Sequence, residues 1–220
     1  MPHRLPSALV WFRRDLRAED HAALHHACRH AKRVWCVFVF DTAILDPLPR
    51  DDRRVGFIHA AVEELDRSLR GLAERQGVVG AGLIVRHGDA GTEVPALAAR
   101  LGVQAVYLNR DDDPAALRRD AQVRGALANA GIAQHESKDH VIFERSEVLT
   151  GSGTPYGVFT PYSRSWLAKL DDSHLGAFRI DDHAAALAPL PEDERAGIPP
   201  LSALGFASAL EGPSVLPGGT

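Results

Sequence analysis

Four short apolar runs and one short mixed segment, none longer than seven residues, alternate with helical patterns over the first 135 residues. Ala8–Phe12, Val34–Phe40, Leu83–Val85 and Ala105–Leu108 are β-branched, aromatic or aliphatic, and Ile132-Ala-Gln-His135 reads as a fifth, shorter strand. Unbroken apolar runs of that length mark strands buried on both faces, as in a parallel sheet. The intervening segments read as helices. His21–His30 is Ala-rich, with Asp20 as its expected N-cap, and Val55, Ile58, Val62, Leu65, Leu69 and Leu72 recur at three- and four-residue steps. Thr92–Leu101 and Ala115–Asn129 follow, the last stopped by Gly131, while Asp41–Asp52, with two prolines and four aspartates, reads as a loop.

Strands alternating with helices specify an α/β fold: a five-stranded parallel, doubly wound sheet with right-handed crossovers. In the common 3-2-1-4-5 order the switch point lies between strands 1 and 4. The loops Arg13–Arg17 and Asn109–Asp113 then meet over one crevice at the carboxyl ends of the strands, where such sheets bind ligands. Residues 1–137 form this domain core. Residues 138–170 are a Gly/Pro/aromatic segment whose Pro161–Leu170 forms a short helix. Residues 171–220, with six prolines and six glycines, read as an extended connector ordered by contact, not as an independent domain.

The remaining composition mainly excludes. A net charge of −4 makes the chain as a whole no electrostatic magnet for nucleic acid. Cys28 and Cys36 form no Cys-x-x-Cys, no signal-like segment opens the chain, and no apolar run approaches a membrane span, so a reduced cytoplasmic setting is expected. Eleven histidines include no zinc-type spacing; His25 and His26, adjacent on a helix, are expected to point apart, and no metal site is expected. Gly-x-Gly-x-x-Gly, phosphate-loop and Gly-x-Ser-x-Gly signatures are missing from their expected places. Trp11, Trp35 and Trp166 are assigned to the core.

Two groups of polar residues carry the ligand argument. Of Arg13, Arg14 and Arg17, one is expected to face the crevice, where a flat fork of donors suits an oxygen-rich ring. Asp111 and Asp113, alternate residues of an extended loop, can share a face as acceptors, although an aspartate before Pro114 also suits a helix N-cap.

The run Leu9-Val-Trp-Phe-Arg-Arg-Asp-Leu-Arg17 resembles the opening of the DNA photolyase/cryptochrome family. So do Asn109-Arg-Asp-Asp-Asp-Pro114 with Arg119-Asp120, and Asp139-His-Val-Ile-Phe143 followed by Gly151–Trp166, in the family's order. The resemblance implies an N-terminal antenna domain that precedes a helical FAD-binding domain, and this chain is expected to stop where that second domain begins. Full-length members are carbon–carbon lyases that repair pyrimidine dimers in DNA, or blue-light receptors. A stand-alone flavin- or nucleotide-binding module is the third alternative. No catalytic residue is expected in residues 1–220, which alone should be inactive. Damaged DNA would be met only through the helical domain, by a chain that is a monomer. Positions matching Arg14, Phe38, Arg54, Asp111 and Asp113 line a deazaflavin or FMN antenna pocket in family members. Ala115-Ala116 replace the polar pair expected of folate-type members, which argues against folate.

Overall fold

The computed structural model describes residues 4–207. Five strands, β1 (Ala8–Phe12), β2 (Val34–Asp41), β3 (Leu83–Gly88), β4 (Ala105–Asn109) and β5 (Ala133–Ser137), form one parallel sheet in the order β3-β2-β1-β4-β5. This is the expected arrangement, and it puts β1 between β2 and β4. Ala8 pairs with both Val34 and Ala105, so the three central strands are in register at their amino ends.

The pleat divides β1 between two cores. Ala8, Val10 and Phe12 pack under α1 (Ala22–His30) and α3 (Arg53–Glu74), while Leu9 and Trp11 pack under α4 (Ala90–Arg100) and α5 (Pro114–Asn129). On α3, Val55, Val62, Leu65, Leu69 and Leu72 are buried and Ile58 packs beside them, as the stripe requires. Each fully buried leucine contributes about 1.5–3 kcal/mol.

Several local expectations change. His21, not Asp20, caps α1: its Nδ1 accepts the Leu24 amide at 3.1 Å. Asp20 instead adopts a left-handed conformation, φ 46°, and accepts the Phe178 amide. Short polar residues tolerate that region better than most, and the cap role passes one residue on. The stretch 41–52 is not all loop, because Asp41 ends β2 and caps a single helical turn, α2 (Thr42–Leu45). β5 runs one residue later at its start and two at its end than expected from Ile132–His135, because its outer residues pair with β4 without being buried. The last helix, α6, spans Phe159–Lys169 and buries none of its residues; Trp166 is only partly buried, edge-on to Phe143, and does not join the core.

The connector is bound to the domain over most of its described length. Ile180, Ala184, Leu187, Leu190, Leu204 and Phe206 are buried, and the Ala188 amide donates to the Val34 carbonyl at the amino end of β2. The rest of the expected connector, 208–220, lies outside the described residues.

Candidate functional site

Two cavities adjoin at the carboxyl end of the sheet. An open cleft of about 840 Å³ runs between the loop after β1, the end of β2 and the start of α5. Beside it lies an apolar slot of about 100 Å³ walled by Trp11, Phe38, Phe40 and Ile58. Arg13, Asp41, Ile44 and Arg119 border both. Because β2, β1 and β4 are consecutive in the sheet, their terminal loops converge here, as a switch point requires.

Four of the five expected residues, Arg14, Arg54, Asp111 and Asp113, line the open cleft, and Phe38 lines the slot instead. Arg14 Nη1 lies 2.9 Å from Asp111 Oδ1, across the gap between the β1 and β4 loops. The Arg14 side chain is 62% exposed, whereas that of Asp111 is 8% exposed. Burial opposes ionisation of Asp111, but the Asp113 amide and the Arg14 guanidinium together bring its carboxyl below the usual range. Asp113 has a second duty as the N-cap of α5, accepting the amides of Ala115 and Ala116. Arg54 is held by Asp52, Nη2 to Oδ2 at 2.5 Å, at the start of α3.

Residue-by-residue reading missed Asp41, Arg118, Arg119 and Gln122, all of which line the cleft. Two signals could have found them. Asp41 ends β2, so the carboxyl-end rule places it beside Arg13. Arg118 and Gln122 are four apart on α5 and share a face. The Arg119 guanidinium lies 5.1 Å from the Trp11 ring centre and Arg13 4.9 Å from it. Arg119 Nε is buried with no hydrogen-bond partner among the described residues. Its charged neighbour is the Asp120 carboxylate, with Oδ1 3.5 Å from that nitrogen.

Asp15 and Arg17 lie outside the cleft lining and fix the loop, and Arg13, which borders the cleft, is held from behind in the same way. Arg13 pairs with Asp120 and donates to the Asn109 carbonyl, and Arg17 reaches Asp139 at 2.7 Å. Asp15 is bound by Asn109, by His21 at 3.1 Å and by His140 at 3.7 Å. Burial opposes its charge, but the hydrogen bonds of His140, His21 and Asn109 prevail and hold it far below the ordinary carboxylate range. Asp139 goes the other way, raised by burial despite the nearby Arg17. Asp15, His21 and Asp139 place metal-capable atoms within 4.8 Å of one another. The Asn109 amide donates to both carboxylates, and Arg17 takes Asp139, so these lone pairs already have partners. The trio ties the β1 loop, α1 and the 139–140 segment together.

No helix among the described residues is long and apolar enough to cross a membrane.

Comparison with known proteins agrees with this geometry. The family model for DNA photolyase matches residues 8–188. A deoxyribodipyrimidine photo-lyase of a Synechococcus strain is 32% identical over 203 residues, 90% of this chain but 40% of the relative. The crystal structure of a class III photolyase from Agrobacterium tumefaciens superposes with a TM-score of 0.68 at 28% identity, covering 84% of this chain and 36% of that one. An archaeal photolyase from Sulfolobus tokodaii, solved with two FAD molecules and described as implying a novel light-harvesting cofactor, superposes at 0.57 with 27% identity, covering 75% of this chain and 35% of that one. The chain thus spans about two fifths of the length of the Synechococcus photolyase, and its five-stranded sheet is the fold shared with these proteins. With the family model matched from β1 into the connector, this chain belongs to the DNA photolyase family and corresponds to its N-terminal domain.

Proposed function

We propose that the chain is the light-harvesting-chromophore domain of a deoxyribodipyrimidine photolyase, with its cleft holding a planar flavin-type chromophore of the deazaflavin or FMN kind. The observation that carries this reading is the Arg14–Asp111 pair at the mouth of a cleft set at the strand switch point. A volume of about 840 Å³ falls within the roughly 300–1,000 Å³ usual for small-molecule sites. Arg14 and Arg54 offer donors, Asp111 and Asp113 acceptors, and Phe38 an apolar wall beside them. The Ala115 and Ala116 amides are spent on the Asp113 cap and their side chains offer no hydrogen bond, which disfavours a folate held at this position.

Bound there, such a chromophore would absorb light and pass the excitation on, and the protein supplies position and polarity. Repair itself would belong to a helical FAD-binding domain, which is the partner proposed for this one and the route by which damaged DNA is met. The protein is read as a cytoplasmic monomer. Residues 1–220 alone are expected to repair no dimers under light.

The test is an absorption spectrum of the protein purified from its own host. A near-ultraviolet or blue band that is lost in Asp111→Ala/Asp113→Ala supports the site, and full retention of the band in that variant refutes it. A full-length protein that keeps the chromophore but repairs no dimers would be a cryptochrome-type receptor.

A further inference from the structure

Along α5 the cleft lining is ordered by chemistry. Asp111 and the N-cap Asp113 stand at the start of the helix, Ala115 and Ala116 follow, and Arg118 and Gln122, one turn apart, stand beyond them. Acceptors come first, then two methyl groups, then donors. From Asp113 to Arg118 the helix advances roughly 7.5 Å along its axis, a distance of the order of an extended ribityl chain.

Arg118 differs from the other arginines of the cleft. Arg13 pairs with Asp120, Arg14 with Asp111 and Arg54 with Asp52, while Arg119 lies 3.5 Å from both Asp41 and Asp120. The exposed Arg118 has no ion pair and no hydrogen bond among the described residues, so its whole fork of donors is open to an anion. Gln122 is placed by the neighbouring helix. A Cβ on Gly91, in the first turn of α4, would come within 2.5 Å of the Gln122 side-chain amide, so the space left by the missing side chain is where that amide lies. The charge opposing an anion here is Asp89, two residues before Gly91, whose Oδ2 accepts the Thr92 hydroxyl at 2.9 Å.

We propose that Arg118 and Gln122 bind a phosphate at the end of the chromophore's ribityl chain, so that the cleft prefers a flavin-type molecule ending in phosphate to one ending in a hydroxyl. The inference rests on the flavin-type reading of the cleft and decides between classes that this reading leaves open. Ring N–H groups donate to Asp111 and Asp113, the chain passes the two alanines without obstruction, and the acceptor-rich phosphate meets the donors beyond them. A charge-assisted contact between guanidinium and phosphate is stronger than the neutral hydrogen bond a terminal hydroxyl could make in its place.

Chromophore-free protein titrated with FMN and with riboflavin, each followed by flavin fluorescence at low salt, tests the proposal. The expected result is that FMN binds roughly tenfold or more tightly than riboflavin, and that added salt narrows the difference. Arg118→Gln should bring FMN affinity down toward that of riboflavin, and Asp89→Asn should raise it. Circular dichroism checks that both variants are folded. Equal affinity for the two flavins in the parent protein overturns the proposal while leaving the flavin reading of the cleft in place, as does an FMN preference that survives Arg118→Gln. Binding of neither flavin overturns the proposal together with the reading on which it rests.

Discussion

Arg13 Nη1 and Asp120 Oδ1 lie 2.5 Å apart with 7% and 6% of their side chains exposed, and they join the end of β1 to α5 behind the cleft. Removing one member of a buried pair strands the other charge, which costs about 3–5 kcal/mol. Arg13 keeps a second acceptor in the Asn109 carbonyl, so Asp120→Ala should lie near the lower end of that range. Urea unfolding midpoints measure it, and a loss below about 1 kcal/mol would show that the pair is dispensable.

Asp15 and His140 give stability a pH dependence of known sign. The Asp15 carboxyl is depressed in the folded state, so its contribution is present above the unfolded value near 3.8 and is lost as pH falls toward the folded value. His140 is raised by its hydrogen bond to Asp15, against burial, so its contribution is full below the unfolded value near 6.5 and lost as pH rises through the folded value. Asp139, also raised, opposes folding as pH rises past about 4. His140→Ala should therefore destabilise the protein more at pH 6 than at pH 8 in paired urea titrations. Equal losses at both values would refute the assignment.

How the cleft's two acidic residues divide their work can be separated by substitution. Asp113→Ala removes the N-cap of α5 and should cost about 1 kcal/mol, whereas Asp113→Asn keeps a capping oxygen and should cost a few tenths at most. If both variants lose equal stability, capping is not what Asp113 does for the fold. Chromophore content of Asp113→Asn then reports on its charge alone.

The connector is pinned by Glu194, whose side chain is 1% exposed and pairs with Arg86 of β3 and Arg100 of α4. Glu194→Ala should release residues 190–195 while leaving the sheet intact. Trypsin should then cut after Arg195 several-fold faster, with little change in circular dichroism. An unchanged cutting rate would mean that the buried apolar residues hold the connector without the ion pairs.

Both cysteines are buried, and burial pushes the Cys28 thiol up to about 12. A thiol reagent at pH 8 should modify neither Cys28 nor Cys36 until denaturant is added. Prompt labelling of either would reveal local opening of α1 or β2.

The sheet was legible because buried parallel strands are continuous apolar runs, and Val34–Phe40 or Ala105–Leu108 admit little else. The strand order followed from general topology, and the pairing of β1 with β4 agrees with it. What escaped was set by contacts between residues far apart in the chain. Nothing near His21 tells that its ring, not Asp20, will cap α1, since Asp20 is drawn off by Phe178, 158 residues later. His25 and His26 diverge as neighbours on a helix, and only the return of residues 178–183 gathers them against one aromatic ring. The loops that carry Arg14 and Asp111 could be placed because each follows a recognisable strand, while the choice of Arg14 among the three arginines came from the family resemblance. Arg118, Arg119 and Gln122 could not, because which face of α5 meets the cleft depends on its packing against α4.

β2 touches both working ends of the domain. At one end the Val34 carbonyl accepts the connector, and at the other Asp41 borders the cleft, seven residues or roughly 23 Å away along an extended strand. A central strand bonded on both sides, to β1 and to β3, does not stretch. It acts as a ruler: whatever occupies the cleft stands at a fixed reach from the point where the chain leaves the sheet. For a process whose rate falls steeply with separation, that reach belongs to the backbone ladder itself, and loop or side-chain motion barely alters it.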